Sequence, residues 1–243
     1  MSNSKLVDYT KISPNKTSPR NHKIDTITIH CVVGQCSVET LGNVFAPTSR
    51  QASSNYGIGY DGRIGMYVEE KDRSWCSSSA SNDNRAITIE VASDTKHPYK
   101  VRDAAYKALI DLCTDICKRN GIKELKWKAD KSLIGKVEQQ NMTVHRWFAN
   151  KACPGDYLYN LHGQIAAEVN ARLGVVSDTT PDTNAALEYA VGDVVTFKGT
   201  KHYASSNGTN GKTCKPGEAR VTSVAKNGKH QYHLIKTTGS AST

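Results

Sequence analysis

The stretch TITIHC, residues 26–31, lies within an Ile-, Val- and Thr-rich run from Ile24 to Val33. This composition predicts a β-strand. Because successive strand side chains point to opposite faces, the threonines and His30 share one face, whereas the isoleucines and Cys31 share the other. The strand therefore ends its polar face with an imidazole.

A second strand-like run, ITIEV at residues 87–91, repeats this alternation and ends its polar face in Glu90. Two strands that each end a polar face with an ionisable group predict the floor of a cleft. An exposed sheet face explains the same alternation equally well, so the pattern alone does not decide between the two interpretations.

The surrounding sequence alternates between strand and helix signals. The predicted strands span Ile24–Val33, Tyr56–Tyr60, Arg63–Val68 and Ala86–Ala92. The predicted helices run from the cap Ser37 to about Ala46, from Val101 to Asn120 and from Tyr157 to Leu173. Asp61-Gly62 predicts a hairpin turn, and Gly121 and Gly174 end the two long helices. The alternation predicts an α/β fold with a mixed central β-sheet flanked by helices.

A Ser-, Thr-, Asp- and Asn-rich stretch at residues 174–188 predicts a linker between domains 1–173 and 189–243. Short strand-like runs in the second domain are separated by Gly, Asn and Lys turns. They span Asp193–Phe197, Glu218–Val224 and Gln231–Ile235. This pattern predicts a small all-β barrel.

The formal charge is +9 and the sequence pI is about 9.1. Such a charge suits an anionic partner, which could be nucleic acid, an acidic membrane or an anionic cell wall. Consecutive Lys/Arg blocks are missing from the sequence, so nucleic acid has no further support. A run of ~18 apolar residues is also missing, so we expect no membrane span. The first 18 residues are polar, so we expect synthesis in the cytoplasm without a signal peptide.

Seven cysteines are an odd number, and in a cytoplasmic chain they indicate thiols or metal ligands. Cys113 and Cys117 lie one turn apart on a predicted helix and are interpreted as core packing. Cys153 differs, because it lies close to the start of a helix that Pro154 favours, two residues after Lys151. The helix N-terminus and the charge of Lys151 both predict a lowered pKa of the Cys153 thiol, which favours the thiolate that binds metals.

Four segments, TITIHC, NYGIGYDGRI, NRAITIEVAS and MTVHRWFANKACPGDYL, resemble in order and spacing the N-acetylmuramoyl-L-alanine amidase type 2 family. The resemblance covers roughly residues 20–173. Its most specific part is a His followed eight residues later by Cys, with Lys two residues before that Cys. The family's fold implies a zinc cleft on the mixed sheet.

The resemblance implies that His30, His145 and Cys153 bind Zn²⁺. Three protein ligands with an open fourth position are typical of catalytic zinc. Glu90 matches the general base of part of the family, and Lys151 matches the lysine that stabilises the oxyanion.

The resemblance further implies that Tyr56 lines the site and assists catalysis. Two positions depart from the common pattern: Asn55 replaces a histidine before the site tyrosine, and Cys76 replaces a histidine after Trp75. We expect Asn55 and Trp75 to contact substrate. Trp75 is equally well explained as a half-buried aromatic at the rim.

The implied reaction is hydrolysis of the amide between N-acetylmuramic acid and L-alanine in bacterial peptidoglycan, by an endolysin or an autolysin. The expected lack of a signal peptide favours a phage-type lysin. Three alternatives remain: a non-catalytic peptidoglycan-binding protein, a zinc peptidase that cuts the stem peptide, and a basic nucleic-acid-binding protein.

The C-terminal runs YAVGDVVTF (189–197), KHY (201–203) and KHQYHLI (229–235) resemble the bacterial SH3-type wall-binding domains of clostridial phage endolysins. This resemblance implies an SH3-like barrel that binds the Gram-positive cell wall. The aromatic-Trp-Val strand that commonly closes such domains is missing after Ile235.

Overall fold

A computed structural model describes residues 2–175, 189, 192–203, 205–224 and 230–237. The chain divides into two compact units, Met1–Val176 and Ser177–Thr243. The predicted linker lies outside the described residues from position 176 onward.

The first unit contains short strands and four α-helices among its described residues. The strands are β1 (Tyr9–Thr10), β2 (Lys16–Thr17), β3 (Thr26–Cys31), β4 (Tyr56–Ile58), β5 (Ile64–Met66), β6 (Arg73–Ser74), β7 (Ala86–Val91) and β8 (Met142–Thr143). The helices are α1 (Val38–Phe45), α2 (Ala80–Arg85), α3 (Asp103–Asn120) and α4 (Gly155–Leu173). Three 3₁₀ turns span Thr48–Arg50, Lys131–Leu133 and His145–Trp147.

Six strands form one sheet in the order β1-β5-β4-β7-β3-β8. The β4–β5 hairpin is antiparallel, whereas the other neighbouring pairs are parallel. The strands β2 and β6 form a separate antiparallel pair. The mixed sheet with its helices confirms the predicted α/β class.

The ends of α3 and α4 and the start of α1 lie where the sequence predicts. Gly121 and Gly174 follow α3 and α4 in the left-handed conformation, with φ of 69° and 74°. Ser37 caps α1 by accepting a hydrogen bond from the backbone N–H of Thr40. In each case the local sequence alone provides the signal.

The apolar faces of β3 and β7 pack in one core with α3 and α4. Ile27 and Ile29 are fully buried there, as are Cys113 and Cys117 of α3. Both cysteines are free thiols, which confirms their interpretation as core packing.

The polar face of the sheet is buried too. Thr28 Oγ1 lies 2.7 Å from Thr143 Oγ1, and Asn82 donates to Thr28 over 3.0 Å. Thr88 lies 2.7 Å from the hydroxyl of Ser74. Every residue of β3 is buried, so the alternative of an exposed sheet face is wrong. The segment that contains β6 and α2 covers this face.

Arg20 fixes both ends of the covering segment 70–86. Its guanidinium is buried, and within the described part of the chain it donates only to backbone carbonyl oxygens. The acceptors are the carbonyls of Glu70, Asp72, Asp83, Asn84 and Ala86. One side chain thus closes the loop that forms one wall of the cleft.

The second unit is all-β in its described part, as predicted. Its strands are β9 (Val194–Phe197), β10 (Lys201–His202), β11 (Lys212–Thr213), β12 (Gly217–Val224) and β13 (Tyr232–Lys236). They form an antiparallel sheet in the order β13-β12-β9 and a separate β10–β11 ribbon. Hydrogen bonds that close a single barrel are not found among these strands.

None of the described helices has the length and apolar content needed to cross a bilayer.

Candidate metal centre

The parallel pairing of β3 and β7 brings His30 and Glu90 together. They are register partners at the carboxyl ends of the two strands. His30 is fully buried, and its Nδ1 atom lies 4.0 Å from Oε1 of Glu90. The shared register explains why two distant sequence segments meet at one sheet edge.

The other two predicted ligands come from the segment after β8, which pairs with β3. His145 begins a 3₁₀ turn, and its ring lies 5.1 Å from that of His30 between centroids. Cys153 precedes α4, and its Sγ lies 3.3 Å from Nδ1 of His30. The carbonyl of Cys153 accepts from the N–H of Arg146, which ties the two ends of this segment together.

His30, His145 and Cys153 fit a metal ion. One ligand atom of each lies within 4.8 Å of the others. The Nε2 atom of His30 is buried without a hydrogen-bond partner, whereas Nδ1 faces the thiol. Two imidazoles and one thiol are donors that zinc prefers, and three ligands leave its fourth position open.

Cys76 forms a second group of three with His30 and Glu90. Its Sγ lies 3.9 Å from Oε1 of Glu90. In the sequence, Cys76 stands out only as a departure from the family pattern, so it is not predicted as a candidate ligand. Its position directly after the rim residue Trp75 was the available signal.

Burial raises the pKa of Glu90 to about 8, and the nearby Cys31 thiol adds to the increase. The positive charge of Arg50 acts in the opposite direction on the same pKa. Arg50 lies in the 3₁₀ turn Thr48–Arg50, and no sequence pattern predicts its proximity to the site. A carboxyl with a raised pKa is suited to accepting and returning a proton near neutral pH.

The pKa of Cys153 is raised well above its ordinary value, so the predicted lowering is wrong for the metal-free protein. A hydrogen bond with the Cys31 thiol is the main cause, followed by burial and by the charge of Glu90. These effects on the pKa of Cys153 outweigh the lowering expected from the N-terminus of α4 and from the charge of Lys151. The thiol must therefore release a proton when it binds a metal.

Both candidate histidine ligands favour the neutral form that binds metals. Burial lowers the pKa of His30 to about 3, and the charges of His145 and His162 add to the effect. Burial and the charge of Lys151 lower the pKa of His145. The ammonium of Lys151 is itself exposed, yet it is close enough to act on this imidazole.

Tyr56 does not lie in the cleft, so its predicted role is wrong. It pairs with Ile89 in register, whereas Gly57 pairs with Glu90, so Tyr56 faces the core. Its hydroxyl donates to Oε1 of Glu70 over 2.7 Å and accepts from the N–H of Ser4. Tyr56 therefore anchors the N-terminal segment.

Asn55 is also a structural residue, contrary to the expected substrate contact. It is fully buried, and its Oδ1 accepts from the backbone N–H of Thr88. Its Nδ2 donates to the carbonyls of Val68, Glu69 and Asp72. The amide is fully used inside the protein and has no free group for a ligand.

Trp75 is half-buried, and its indole N–H donates to the hydroxyl of Thr17 over 3.0 Å. It stays a candidate for substrate contact. Nearby, Ser78 Oγ lies 2.9 Å from Nε2 of His145 and orients that ring.

An aromatic stack supports the turn that begins with His145. Trp147 stacks on Trp127 at 5.1 Å with an interplanar angle of 8°, and Trp127 packs against His162 at 4.5 Å. His162 is buried and donates through Nδ1 to the carbonyl of Leu158, whereas Nε2 has no partner. The ring of His162 therefore points inward from α4, against the aromatic stack.

A family model described as N-acetylmuramoyl-L-alanine amidase matches residues 20–156. A search of curated proteins gives no match.

The chain also matches several solved structures. An AmpD derivative is 17% identical over 68% of this chain and 99% of its own, with a TM-score of 0.49. The endolysin N-acetylmuramoyl-L-alanine amidase LysCS from Clostridium intestinale is 19% identical over 70% and 94%, with a TM-score of 0.45. A mutant endolysin from Bacillus subtilis is 16% identical over 67% and 99%, with a TM-score of 0.46.

Proposed function

The chain belongs to the N-acetylmuramoyl-L-alanine amidase family, and we propose that it is a zinc-dependent enzyme of peptidoglycan. The bond cleaved is the amide between the lactyl group of N-acetylmuramic acid and L-alanine. The observation that supports this proposal most is the convergence of His30, His145 and Cys153 within 4.8 Å, next to the buried Glu90.

When bound by these three residues, zinc would polarise the carbonyl and lower the pKa of water in the cleft. Glu90 takes the proton of the attacking water and later returns it to the leaving amine. Lys151 stabilises the negative charge that develops on the carbonyl oxygen, an effect often worth about 3–4 kcal/mol per donor. Its exposure at the cleft edge leaves the ammonium free to reach substrate.

Digestion of purified peptidoglycan, with and without a chelator, tests the proposal. We expect products with a free L-alanine amine and a free lactyl carboxylate, and no release once the metal is removed. Cleavage inside the stem peptide, identified by mass spectrometry, would instead support a zinc peptidase. Retention on peptidoglycan without any product would support a non-catalytic binding protein.

The second part of the proposal concerns the domains. Residues 1–173 form the amidase domain, residues 174–188 the linker and residues 189–243 an SH3-like wall-binding domain. The high density of basic residues in 189–243, eight Lys/Arg against two acids, supports an anionic target such as the Gram-positive wall. Under this proposal the protein is a phage-type lysin, which acts on the wall after release from the cytoplasm.

Co-sedimentation of the full-length Glu90→Gln variant with purified walls tests the binding role, because this variant should bind without digesting them. Linkage of the two domains raises the effective concentration of enzyme at the wall. A chain truncated after residue 175 should therefore sediment less. Equal sedimentation of both chains would contradict the binding role.

A further inference from the structure

The second unit contains a cavity of about 610 Å³. Residues of β9, β10, β12 and β13 and of the loops between the strands line it, and they are mainly aromatic or basic. Prominent among them are Phe197, Tyr203, Tyr232, Lys201, Lys215 and Lys236, together with three histidines. Its size lies within the range of cavities that bind small molecules or segments of polymers.

The aromatic wall of this cavity is held in place by defined contacts. The ring of Tyr203 stacks on that of His230 at 3.6 Å with an interplanar angle of 11°. His230 in turn donates through Nε2 to the carbonyl of Gly208 over 3.0 Å. The ring of Tyr203 thus presents a fixed surface to a ligand.

Two glycines make room for these rings. A Cβ atom at Gly211 would lie 2.7 Å from the ring of Tyr203, and one at Gly199 would lie 2.5 Å from that of Phe197. Both distances are too short for a side chain, so the backbone lies flat against each ring. This close packing fixes the positions of Tyr203 and Phe197 further.

Among the lining residues that the structure describes there are lysines and histidines but neither aspartate nor glutamate. Glu218 lies between two lining residues of β12, Gly217 and Ala219, so strand alternation turns its side chain to the other face. Within this described part of the lining, no carboxylate faces the three lysines. Their ammonium groups are suited to charge-assisted hydrogen bonds with phosphate oxygens.

We propose that this cavity binds a phosphate-bearing, polyhydroxylated polymer of the cell wall. The aromatic rings contact the apolar C–H faces of its sugar or polyol units, and the lysines bind its phosphodiester groups. The inference rests on the proposed function only in taking the wall as the target, and it names the component that the second unit recognises.

The test uses full-length protein with the Glu90→Gln substitution and two batches of purified walls. One batch is intact, and the other is stripped of phosphodiester-linked polymers with hydrofluoric acid. We expect at least tenfold weaker binding to stripped walls, and weaker binding to intact walls as salt concentration rises. Equal binding to both batches would overturn the proposal.

A pair of matched variants locates the site. Lys201→Gln with Lys215→Gln removes two charges from the cavity and should weaken binding to intact walls about tenfold, equivalent to about 1.4 kcal/mol. Lys198→Gln with Lys212→Gln removes two charges of the same unit outside the lining and should bind like the parent. Equal binding by both variants, with unchanged thermal unfolding, would contradict the site.

Two further measurements separate the possible outcomes. Inorganic phosphate, added at the same ionic strength as chloride, should compete weakly, whereas soluble poly(glycerol phosphate) should compete strongly. Equal competition would mean that the cavity binds free phosphate and would contradict a polymer as its ligand.

Amidase activity on a soluble muropeptide, measured in proteins that carry the original Glu90, should be the same in both double variants. Its absence in the parent protein would refute the amidase proposal and leave the binding result standing.

Discussion

His30 and Glu90 are register partners on β3 and β7, and Nδ1 of His30 lies 4.0 Å from Oε1 of Glu90. The distance is too long for a hydrogen bond, so the imidazole of His30 does not donate to the carboxylate of Glu90. The second oxygen of Glu90 is buried without a hydrogen-bond partner. The carboxylate is thus close to the candidate ligands and still has a free oxygen for a proton.

Glu90→Gln should retain zinc and lose at least about 100-fold in kcat, because the amide cannot accept the proton of the attacking water. Elemental analysis and turnover of a soluble muropeptide measure the two effects. Glu138→Gln, at an exposed position, provides the control. Near-normal turnover by Glu90→Gln would refute its role as general base.

The metal-free protein should show a pH-dependent stability that originates at Glu90. Burial raises the pKa of this carboxyl from 4.5 to about 8, so the folded state retains a proton that the unfolded state has released. The resulting stabilisation is complete below pH 4.5 and is lost as pH rises through 8.

Thermal unfolding of the chelator-treated protein and of Glu90→Gln across this pH window measures the effect. The Tm of the wild type relative to the variant should fall as pH rises. The histidines have lowered pKa values and oppose this trend, but they are present in both proteins and largely cancel. A difference in Tm that does not change with pH would contradict the raised pKa.

Zinc binding should strengthen with rising pH, because the raised pKa of Cys153 means that its thiol must lose a proton to bind the ion. Calorimetry in buffers of different ionisation enthalpy measures the protons released. Cys153→Ser should lose zinc, whereas Cys36→Ser should keep it. Full zinc retention by Cys153→Ser would remove this residue from the ligand set.

Lys151→Gln should lower kcat about 100-fold with little change in zinc content, because a neutral amide stabilises the oxyanion poorly. The same substitution should raise the pKa of His145, since the charge of Lys151 lowers it. Titration of the metal-free variant by NMR measures the second effect. Lys131→Gln, also at an exposed position, is the control; an equal loss of kcat there would argue against a specific role for Lys151.

Tyr56→Phe should destabilise the fold by about 1–3 kcal/mol, because Glu70 and the N–H of Ser4 lose a buried partner. Below its unfolding temperature the variant should keep the kcat of the wild type, since the ring faces the core. Chemical denaturation and turnover separate the two effects. A large fall in kcat at unchanged stability would return Tyr56 to the catalytic residues.

The elements predicted correctly are those whose signals are local. The alternation in TITIHC predicts β3 within two residues at each end, and the glycine after α3 predicts its last residue. Two-residue strands such as β1 and β8 lack such a signal, because they exist only through pairing with β5 and β3.

The same limit explains the errors at the site. Tyr56 and Asn55 are neighbours in a motif, yet the register between β4 and β7 decides which face each occupies. The hydrogen bond between the thiols of Cys31 and Cys153 joins residues that are distant in sequence, so local context predicted the wrong shift for Cys153. His30, His145 and Cys153 converge because the parallel order β7-β3-β8 brings their segments to one edge.

The bonds of Arg20 to both ends of segment 70–86 have a consequence for motion. This segment contains Cys76 and Ser78, which contact Glu90 and His145. Since one guanidinium connects its two ends, neither end can open without the other, and the segment should exchange its amide hydrogens as one cooperative unit. Arg20 therefore governs how often this wall of the cleft opens, although its described side-chain hydrogen bonds go to backbone carbonyls and not to the site.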